Sequence, residues 1–459
     1  MYITKSKSLG QVISRIGLIS LTVFLIVLYL SGDSIDNSVL SAIILIISIF
    51  DFAVLLYNPT IYNSGLLMIF FAYTILVHNG FVIAFLFDKS YETFQSVTSM
   101  AFRLNSYYPS AIIISNIIIA SFVLIMEIKT KKINSYWYLK RECKKESIEG
   151  GNKCADVMGI SLLVLGFLYI AFFIFSHGLF LAGYITTLRS LENSTMFQYM
   201  VIITSLSIAL VFSTGTKKGI KIAFGVYFLI TILQFSIGNR GEVLYAAVVC
   251  FALYSIRYKT IKTKHVIIAV VIAAIIIPFV RVMRNLEISM YTLNPIASFL
   301  DVLAEEGIEI SPFTYIVEYS QKNGHVWGMT YIADFIDFFS RRLGFVNSLT
   351  DEKYIIKSIM PYDGMGFTLI AELYYNFGLC ISTVLFSGIG FWLKFLDAKF
   401  TNFQVSDLQR IGCSLLLVEL INLTRNDAST LPLYLFFIAI FMIAYAVLRN
   451  LVDQRMRSQ

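Results

Sequence analysis

The apolar stretch Gly159–Phe175, GISLLVLGFLYIAFFIF, carries no charged residue. With its flanks it matches the roughly 20 residues of α-helix that cross a hydrocarbon core of about 30 Å. Similar runs recur along nearly the whole chain of 459 residues, of which 57% are hydrophobic and only 14% are charged. A soluble domain has about 25% charged residues, and a transmembrane β-barrel would alternate apolar and polar residues. The sequence therefore predicts an all-α polytopic membrane protein.

Hydropathy predicts about 12 transmembrane helices. They are expected at residues 16–32, 38–57, 65–87, 109–127, 157–182, 197–213, 219–237, 243–256, 265–282, 375–393, 409–424 and 430–448. One connecting segment, 283–366, is much longer than the others. The chain is thus predicted to contain an N-terminal transmembrane bundle of nine spans (1–282), a long loop (283–366) and three C-terminal spans (367–459).

Basic residues gather in alternate loops, as the positive-inside rule requires. The loop 128–156 is rich in lysine, and further basic clusters occur around 217–221, 257–264, 394–410 and 449–457. All of these fall on the same side of the membrane as the N-terminus. Both termini are therefore predicted to be cytoplasmic, and the long loop 283–366 is predicted to lie on the outer face.

Lysine predominates on the predicted inner side, whereas arginine predominates on the outer side. Four of these arginines are expected at helix ends or turns at one membrane depth: Arg240, Arg281, Arg284 and Arg425. Each could be a snorkelling residue or part of a surface salt bridge. A planar guanidinium also suits phosphate recognition, and one shared anion would explain why arginine is favoured on this side.

The turn Gly238–Glu242, GNRGE, separates two predicted spans. Its glycines permit a sharp turn and close approach of a ligand. Glu242 is expected to orient Arg240, and Asp427 is expected to support the neighbouring Arg425.

Glu372 enters an apolar, aromatic stretch, GMGFTLIAELYYNFGLC. A carboxylate in such surroundings is costly unless it is paired or functional. Two interpretations stay open: an ion pair with one of the outer arginines, or a general base that removes a proton from a substrate hydroxyl.

Within the long loop, Thr330–Leu343 has aromatic residues at helical spacing, Tyr331, Phe335, Phe338 and Phe339. Arg341 and Arg342 end this segment. The pattern predicts an amphipathic helix at the outer membrane interface.

Several classes of function are disfavoured. The sequence has no nucleotide-binding loop, metal-ligand set or Ser/His/Asp arrangement, so no metal or cofactor is expected. The five cysteines form no close-spaced motif, and the net charge of +7 is explained by topology rather than by nucleic-acid binding.

The ordered motifs of the second half resemble those of the O-antigen polymerase family (Wzy). They are GNRGE (238–242), RVMRN (281–285), GMTYIADFIDFFSRRLGF (328–345), GMGFTLIAELYYNFG (364–378) and TRND (424–427). The resemblance extends over the whole chain in length, number of spans and position of the long loop.

This resemblance implies a GT-C-type glycosyltransferase of the bacterial inner membrane, with the long loop in the periplasm. It would transfer a growing glycan from undecaprenyl pyrophosphate to the non-reducing end of a newly flipped, lipid-linked repeat unit. The reaction would be inverting and metal-independent, with Glu372 as the base. The residues implied to bind pyrophosphate are Arg240, Arg281, Arg284 and Arg425, and Arg341 or Arg342 would hold lipid or sugar.

The implied partners are undecaprenyl-pyrophosphate-linked oligosaccharides and membrane lipids. A chain-length copolymerase of the Wzz type and a functional link to a flippase of the Wzx type are also expected.

Two other functions compete with this one. An O-antigen ligase-like enzyme would use a histidine of the outer loop, for which His325 is the candidate. A lipid-linked oligosaccharide flippase or transporter would need charged residues along a path at mid-membrane. The predicted charges gather at one interface instead, which favours the polymerase.

Replacing Arg240 by lysine tests the pyrophosphate assignment, because Arg240→Lys keeps the charge but removes the planar fork. We expect polymerisation to fall by about tenfold or more, since charge-assisted hydrogen bonds are worth roughly 1.5–3 kcal/mol. The length distribution of the surface glycan measures this, with Arg455→Lys in the C-terminal tail as the matched control. Near-normal chain length in Arg240→Lys would count against a bidentate contact.

Overall fold

The structure, a computed structural model, describes residues 2–31, 35–57, 65–95, 101–103, 105–128, 152–182, 190, 194–239, 241–257, 295–343, 368–401 and 406–457. Helices make up most of these residues, which confirms the predicted helical membrane class. Two three-residue strands form a small antiparallel pair in which Phe94 lies opposite Phe102.

The helices and strands follow one another along the chain with these bounds: α1 Tyr2–Ser31, α2 Asn37–Tyr57, α3 Gly65–Phe87, β1 Thr93–Gln95, β2 Ala101–Arg103, α4 Tyr108–Ile128, α5 Lys153–Ser176, α6 Thr195–Thr214, α7 Lys217–Ser236, α8 Gly241–Arg257, α9 Pro295–Gly307, α10 Ile310–Asn323, α11 Met329–Leu343, α12 Leu369–Thr401, α13 Asp407–Leu423 and α14 Leu431–Arg457. Short 3₁₀ turns occur at Lys89–Glu92 and Ala428–Thr430.

Nine stretches of the described residues are helical, long and apolar enough to cross a membrane: Val12–Ser31, Asn37–Leu55, Phe70–Phe87, Tyr108–Met126, Lys153–Ser176, Thr195–Thr214, Lys217–Ser236, Leu369–Leu396 and Ala428–Val452. Each matches one predicted span. The predicted span 243–256 contains a shorter apolar helix, Val243–Tyr254, and the predicted span 409–424 corresponds to α13, which has 17 residues. The predicted span 265–282 lies outside the described residues.

The long segment 283–366 contains three helices in its described part: α9, α10 and α11. It is therefore a folded helical region there and not an extended connection. Because loops of this length inside compact proteins are usually functional, this region is where a site is expected.

The chain divides into two compact units. Unit 1 consists of Met1–Tyr138, Leu300–Phe395 and Leu423–Pro432, and unit 2 consists of Leu139–Phe299, Leu396–Asn422 and Leu433–Gln459.

The core of unit 1 is built from buried phenylalanines of three helices. The rings of Phe71 and Phe122 stack with centroids 6.0 Å apart, and Phe122 lies 5.3 Å from Phe386. Phe70 lies 5.6 Å from Phe386. These tilted and stacked rings join α3, α4 and α12, since such pairs add attraction beyond the burial of apolar area.

A polar layer lies within the same unit. Asn79 and Asn116 form a reciprocal amide pair in which each Nδ2 donates to the other's Oδ1 at 3.0 Å. Asn79 also donates to Ser48 Oγ at 2.8 Å. Hydrocarbon offers no hydrogen-bond partners to a buried amide, so this arrangement fixes the register of α2, α3 and α4.

Two glycines let α9 approach α3 very closely. A Cβ atom added to Gly80 would lie 2.6 Å from the main-chain oxygen of Leu303, and one added to Gly307 would lie 2.0 Å from the main-chain nitrogen of Phe81. The backbones themselves are therefore in contact, and no side-chain rotation could make room. This contact fixes the end of α9 against unit 1.

Unit 2 uses small residues in the same way, because Gly159 and Gly166 of α5 face Val211 and Thr204 of α6. A buried arginine closes the end of α6. Arg257 donates through Nη1 to Phe212 O at 2.9 Å and through Nη2 to Gly215 O at 3.0 Å. These bonds satisfy carbonyls that a helix end leaves without partners.

The contact between α3 and α9 predicts a sharp difference between two glycines of unit 1. Gly80→Ala should lower the free energy of unfolding by about 1–3 kcal/mol, the usual cost of forcing atoms into a packed site. Gly388→Ala in α12 is the control, because nothing lies within 4 Å of its added Cβ. Thermal unfolding of the protein in detergent measures both, and equal midpoints would contradict the close approach.

Candidate active site

Glu372 lies in the first turn of α12, and the start of this helix is explained by its sequence. Thr368 caps the helix: its Oγ1 accepts from Ala371 N at 3.2 Å, and its main-chain oxygen accepts from Glu372 N at 2.8 Å. Threonine is a favoured N-cap residue, and the N-terminus of a helix stabilises a negative charge in its first turn. The local structure thus favours a carboxylate at this position.

The Glu372 side chain is completely buried and is held by two neutral donors. Thr330 Oγ1 of α11 donates to Oε1 at 2.8 Å, and Ala428 N donates to Oε2 at 2.8 Å. Among the residues that the structure describes, these contacts include no arginine. The predicted ion pair between Glu372 and an outer arginine therefore does not occur within the described part of the chain.

Asn376 orders the Thr330 side of this arrangement. Its Nδ2 donates to Thr330 Oγ1 at 2.7 Å and to Glu372 O at 2.8 Å. Because Thr330 Oγ1 accepts this bond, its own hydroxyl proton is directed to Glu372. Glu372 and Asn376 lie four residues apart, on one face of α12.

A kink follows immediately at Gly378, whose φ of 69° and ψ of −179° interrupt α12. The interruption leaves carbonyl groups without helical partners, and two amides of the α10–α11 connection satisfy them. Val326 N donates to Tyr375 O at 3.2 Å, and Trp327 N donates to Asn376 O at 2.8 Å. The segment that carries Glu372 is thus a short helix with its own end.

His325 lies against this kink. Its ring packs edge-on to Tyr374 with centroids 5.4 Å apart, and a Cβ atom on Gly378 would lie 2.7 Å from His325 Nε2. Glycine is therefore required at position 378 both by its positive φ and by the imidazole ring.

Aromatic rings surround the short helix from α10 and α11. Phe313 packs on Tyr374, Tyr319 on Tyr375, and Tyr331 on Phe377, with centroids 5.6, 5.8 and 6.3 Å apart. The pKa of Tyr331 is raised, first by burial and then by the negative charges of Glu372 and Asp334. Tyr331 is therefore a neutral hydroxyl near Glu372.

Arg425 makes two ion pairs within unit 1. Its Nη1 lies 2.8 Å from Glu306 Oε2, and its Nε lies 3.3 Å from Glu309 Oε1. All three side chains are largely buried, with exposures of 20%, 12% and 17%. Burial raises the pKa of Glu309, and Arg425 opposes that rise. Removing one partner of such a buried pair costs about 3–5 kcal/mol.

Asp427, predicted to support Arg425, caps the 3₁₀ turn at Ala428–Thr430. Its Oδ1 accepts from Ser429 N at 3.1 Å and from the Ser429 hydroxyl. Asp427 thus orders the turn that presents the Ala428 amide to Glu372.

The side chains of six other predicted site residues are not among those that the structure describes. Arg240, Arg281 and Arg284 lie outside the described residues. Glu242 lies in α8, and Arg341 and Arg342 lie in α11, but their side chains are outside the described part of the structure. For these six residues the assigned roles stay predictions.

The amphipathic helix predicted at Thr330–Leu343 is confirmed as α11, Met329–Leu343. Ile332, Phe335 and Phe339 are exposed along one face, while Ala333 and Asp334 are buried on the other. The buried face includes Thr330, so this helix brings a hydrogen-bond donor to Glu372.

In unit 2 the described start of GNRGE, Gly238 and Asn239, forms a turn after α7. Gly238 has a φ of 80°, and Asn239 donates through its main-chain N and through Nδ2 to the O and Oε1 of Gln234, each at 3.0 Å. The described residues 237–239 thus lie in a turn between the end of α7 at Ser236 and the start of α8 at Gly241.

Sequence reasoning missed Thr330, Asn376, Glu306, Glu309 and the Ala428 amide. One signal was available: Asn376 follows Glu372 by one helical turn, a spacing that places two polar side chains together on an apolar helix. The pairing of Arg425 with the acidic run AEEGIE (304–309) depends on the tertiary fold, because these residues lie more than a hundred positions from Arg425.

The fold and this site define a multi-pass helical membrane protein that holds a buried carboxylate beside a folded helical segment. The family model for O-antigen polysaccharide polymerase Wzy matches residues 13–454, so the chain belongs to that family. The chain is also 28% identical to Protein CapE from Staphylococcus aureus over 385 residues, which cover 81% of this chain and 82% of that protein. No solved structure matches.

Removing the Thr330 hydroxyl should destabilise the site. Thr330→Val removes the bond to Glu372 Oε1 and one of the two bonds that Asn376 Nδ2 donates, and one unsatisfied buried group costs about 1–3 kcal/mol. We expect a lower midpoint of thermal unfolding, whereas Thr330→Ser should retain the wild-type midpoint.

Thr383→Val is the matched control, since the Thr383 hydroxyl bonds only within its own helix, to Leu379 O at 2.8 Å. Equal effects of Thr330→Val and Thr383→Val would contradict the special role of the Thr330 hydroxyl.

Proposed function

We propose that the protein polymerises undecaprenyl-pyrophosphate-linked oligosaccharide repeat units at the periplasmic face of the bacterial inner membrane. In this proposal it is a GT-C-type glycosyltransferase that works without a metal and inverts the anomeric centre. Membership of the O-antigen polysaccharide polymerase family supports the class of reaction. The observation that carries the mechanism is the burial of Glu372 between two neutral donors.

A general base needs a lone pair that no cation occupies. Each Glu372 oxygen accepts one bond from a neutral group, and each carboxylate oxygen has two lone pairs. Glu372 has no exposed surface, and burial strengthens electrostatic interactions at the reacting atoms. These features support Glu372 as the base and not as an ion-pair partner.

The proposed step is a single displacement. The acceptor hydroxyl oxygen attacks the anomeric carbon of the donor sugar while its proton passes to Glu372. The bond between that carbon and the pyrophosphate oxygen breaks, and its electron pair leaves with undecaprenyl pyrophosphate. Because Glu372 has no exposed surface, neighbouring side chains must move before the acceptor hydroxyl can reach its carboxylate.

The leaving group gains negative charge and requires fixed positive charge nearby. Arg240, Arg281 and Arg284 are the proposed pyrophosphate ligands, and Arg341 or Arg342 is proposed to hold lipid or sugar. Arg425 is already bound to two carboxylates, which weakens its case as a fourth ligand.

Both termini are proposed to be cytoplasmic, with membrane lipids around the spanning helices. A chain-length copolymerase of the Wzz type and a flippase of the Wzx type are the proposed functional partners. An O-antigen ligase-like reaction is the second candidate, because His325 packs against the helix that carries Glu372.

Replacing Glu372 by glutamine removes the base while keeping the size of the side chain. We expect Glu372→Gln to leave single repeat units on the lipid acceptor, because general-base catalysis contributes about 10²–10⁴-fold to the rate. Glycan length on gels measures the outcome in a strain that lacks the wild-type gene.

Glu318→Gln is the matched control, since Glu318 forms an exposed pair with Lys322 at 2.7 Å. Protein amounts in the membrane must be equal in both variants. Full-length glycan in Glu372→Gln would sink the base assignment, and loss of transfer in His325→Gln alone would favour the ligase-like reaction.

A further inference from the structure

The two residues between Arg425 and Ala428 connect two features of unit 1. At one end Arg425 is bound to Glu306 and Glu309, and at the other end the Ala428 amide donates to Glu372 Oε2 at 2.8 Å. The turn between them, residues 424–428, is therefore held at both ends.

The charges around Arg425 disfavour an anionic ligand. One guanidinium faces two carboxylates, so the group of three carries a net charge of −1 when all are ionised. A pyrophosphate approaching Arg425 would meet the carboxylates of Glu306 and Glu309, which already bind Nη1 and Nε. Like charges at such distances repel strongly in partly buried surroundings.

The two glutamates flank a closely packed part of the backbone. Glu306 is in the last turn of α9 and Glu309 lies between α9 and α10. The backbone of Gly307 between them is pressed against α3, as the 2.0 Å approach of an added Cβ to Phe81 N shows. Ser311 N donates to Ile308 O at 2.8 Å and tightens the same connection.

The Ala428 end of the turn is equally fixed. Ala428 is 2% exposed, and Asp427 caps the 3₁₀ turn that begins there. The turn that carries the Ala428 N–H group is thus held by the ion pairs of Arg425 at one end and by the Asp427 cap at the other.

We propose that Arg425 is a positioning residue, which through its ion pairs with Glu306 and Glu309 holds the turn 424–428 so that the Ala428 amide orients the Glu372 carboxylate. This inference rests on the proposed role of Glu372 as the base. It assigns Glu306 and Glu309 to the same device and removes Arg425 from the pyrophosphate ligands.

The first test measures the turn itself, by hydrogen–deuterium exchange of the peptide 424–430 in purified protein. Arg425→Lys has one nitrogen in place of the fork, so it cannot reproduce the separate contacts that Nη1 and Nε make with the two carboxylates. We expect faster exchange of this peptide in Arg425→Lys and in Glu306→Gln, and wild-type exchange in the control Glu318→Gln. Unchanged exchange in Arg425→Lys and Glu306→Gln overturns the proposal.

The second test measures catalysis on a synthetic undecaprenyl-pyrophosphate-linked repeat unit with the protein in nanodiscs. A positioning role predicts that kcat falls by about 10- to 100-fold in Arg425→Lys and in Glu306→Gln, with KM within about twofold of wild type. The double variant should be no worse than the more impaired single variant, because both changes break one unit.

A pyrophosphate ligand predicts a different pattern. Arg425→Lys would then raise KM, and Glu306→Gln would leave the rate unchanged or raise it, because it frees a guanidinium nitrogen. That pattern overturns the proposal.

A replacement variant and a comparison of the two tests keep the outcome interpretable. If Glu306→Gln fails to accumulate, Glu309→Gln takes its place, since it removes the more weakly held partner at 3.3 Å. Faster exchange with a wild-type kcat would overturn the second part of the proposal. It would show that the reaction does not need the turn to orient Glu372. Unchanged exchange would overturn the first part, that Arg425 holds the turn, and this result does not depend on the role of Glu372.

Discussion

A carboxylate without any exposed surface is the constraint on which the site of unit 1 depends. Glu372 is held by a hydroxyl from α11 and a main-chain amide from the turn after α13, and neither donor carries a charge. Burying an anion is costly unless it accepts hydrogen bonds, so α11 and the turn after α13 must both be positioned to donate to Glu372. The cap at Thr368, the kink at Gly378 and the close approach of α3 and α9 all serve that placement.

The segment between the ninth and tenth predicted spans explains how the bonds are supplied. Its three described helices bring Thr330, His325 and the Glu306–Glu309 pair to α12 and to the turn 424–428. The interruption of α12 at Gly378 is part of the same construction, because amides of the α10–α11 connection bind the carbonyls that the kink releases. A continuous transmembrane helix would leave no acceptors for that connection.

The sequence predicted the elements of this fold better than their contacts. Long apolar runs predicted the spanning helices because burial in hydrocarbon depends on composition over about 20 residues. Aromatic periodicity likewise predicted α11. Contacts between distant residues leave no such local trace: Thr330 and Ala428 reach Glu372 from positions 42 and 56 residues away along the chain.

Arg425 also shows that tertiary contacts cannot be read from the sequence. Its place beside other outer arginines in the predicted topology suggested a common anionic ligand. The structure pairs it with Glu306 and Glu309, two residues of the long segment to which the sequence assigned no role. A cation that is costly to bury finds its counter-ions through tertiary structure, and no spacing rule connects residues 116 and 119 positions apart.

The central claim is that the protein itself joins repeat units, and reconstitution tests it most directly. Purified protein in nanodiscs would receive one synthetic undecaprenyl-pyrophosphate-linked repeat unit as the sole substrate, and mass spectrometry would follow the products. The account predicts glycans of two or more units with release of one undecaprenyl pyrophosphate for each bond formed. Unchanged single units, or their movement across a liposome membrane without elongation, would contradict it.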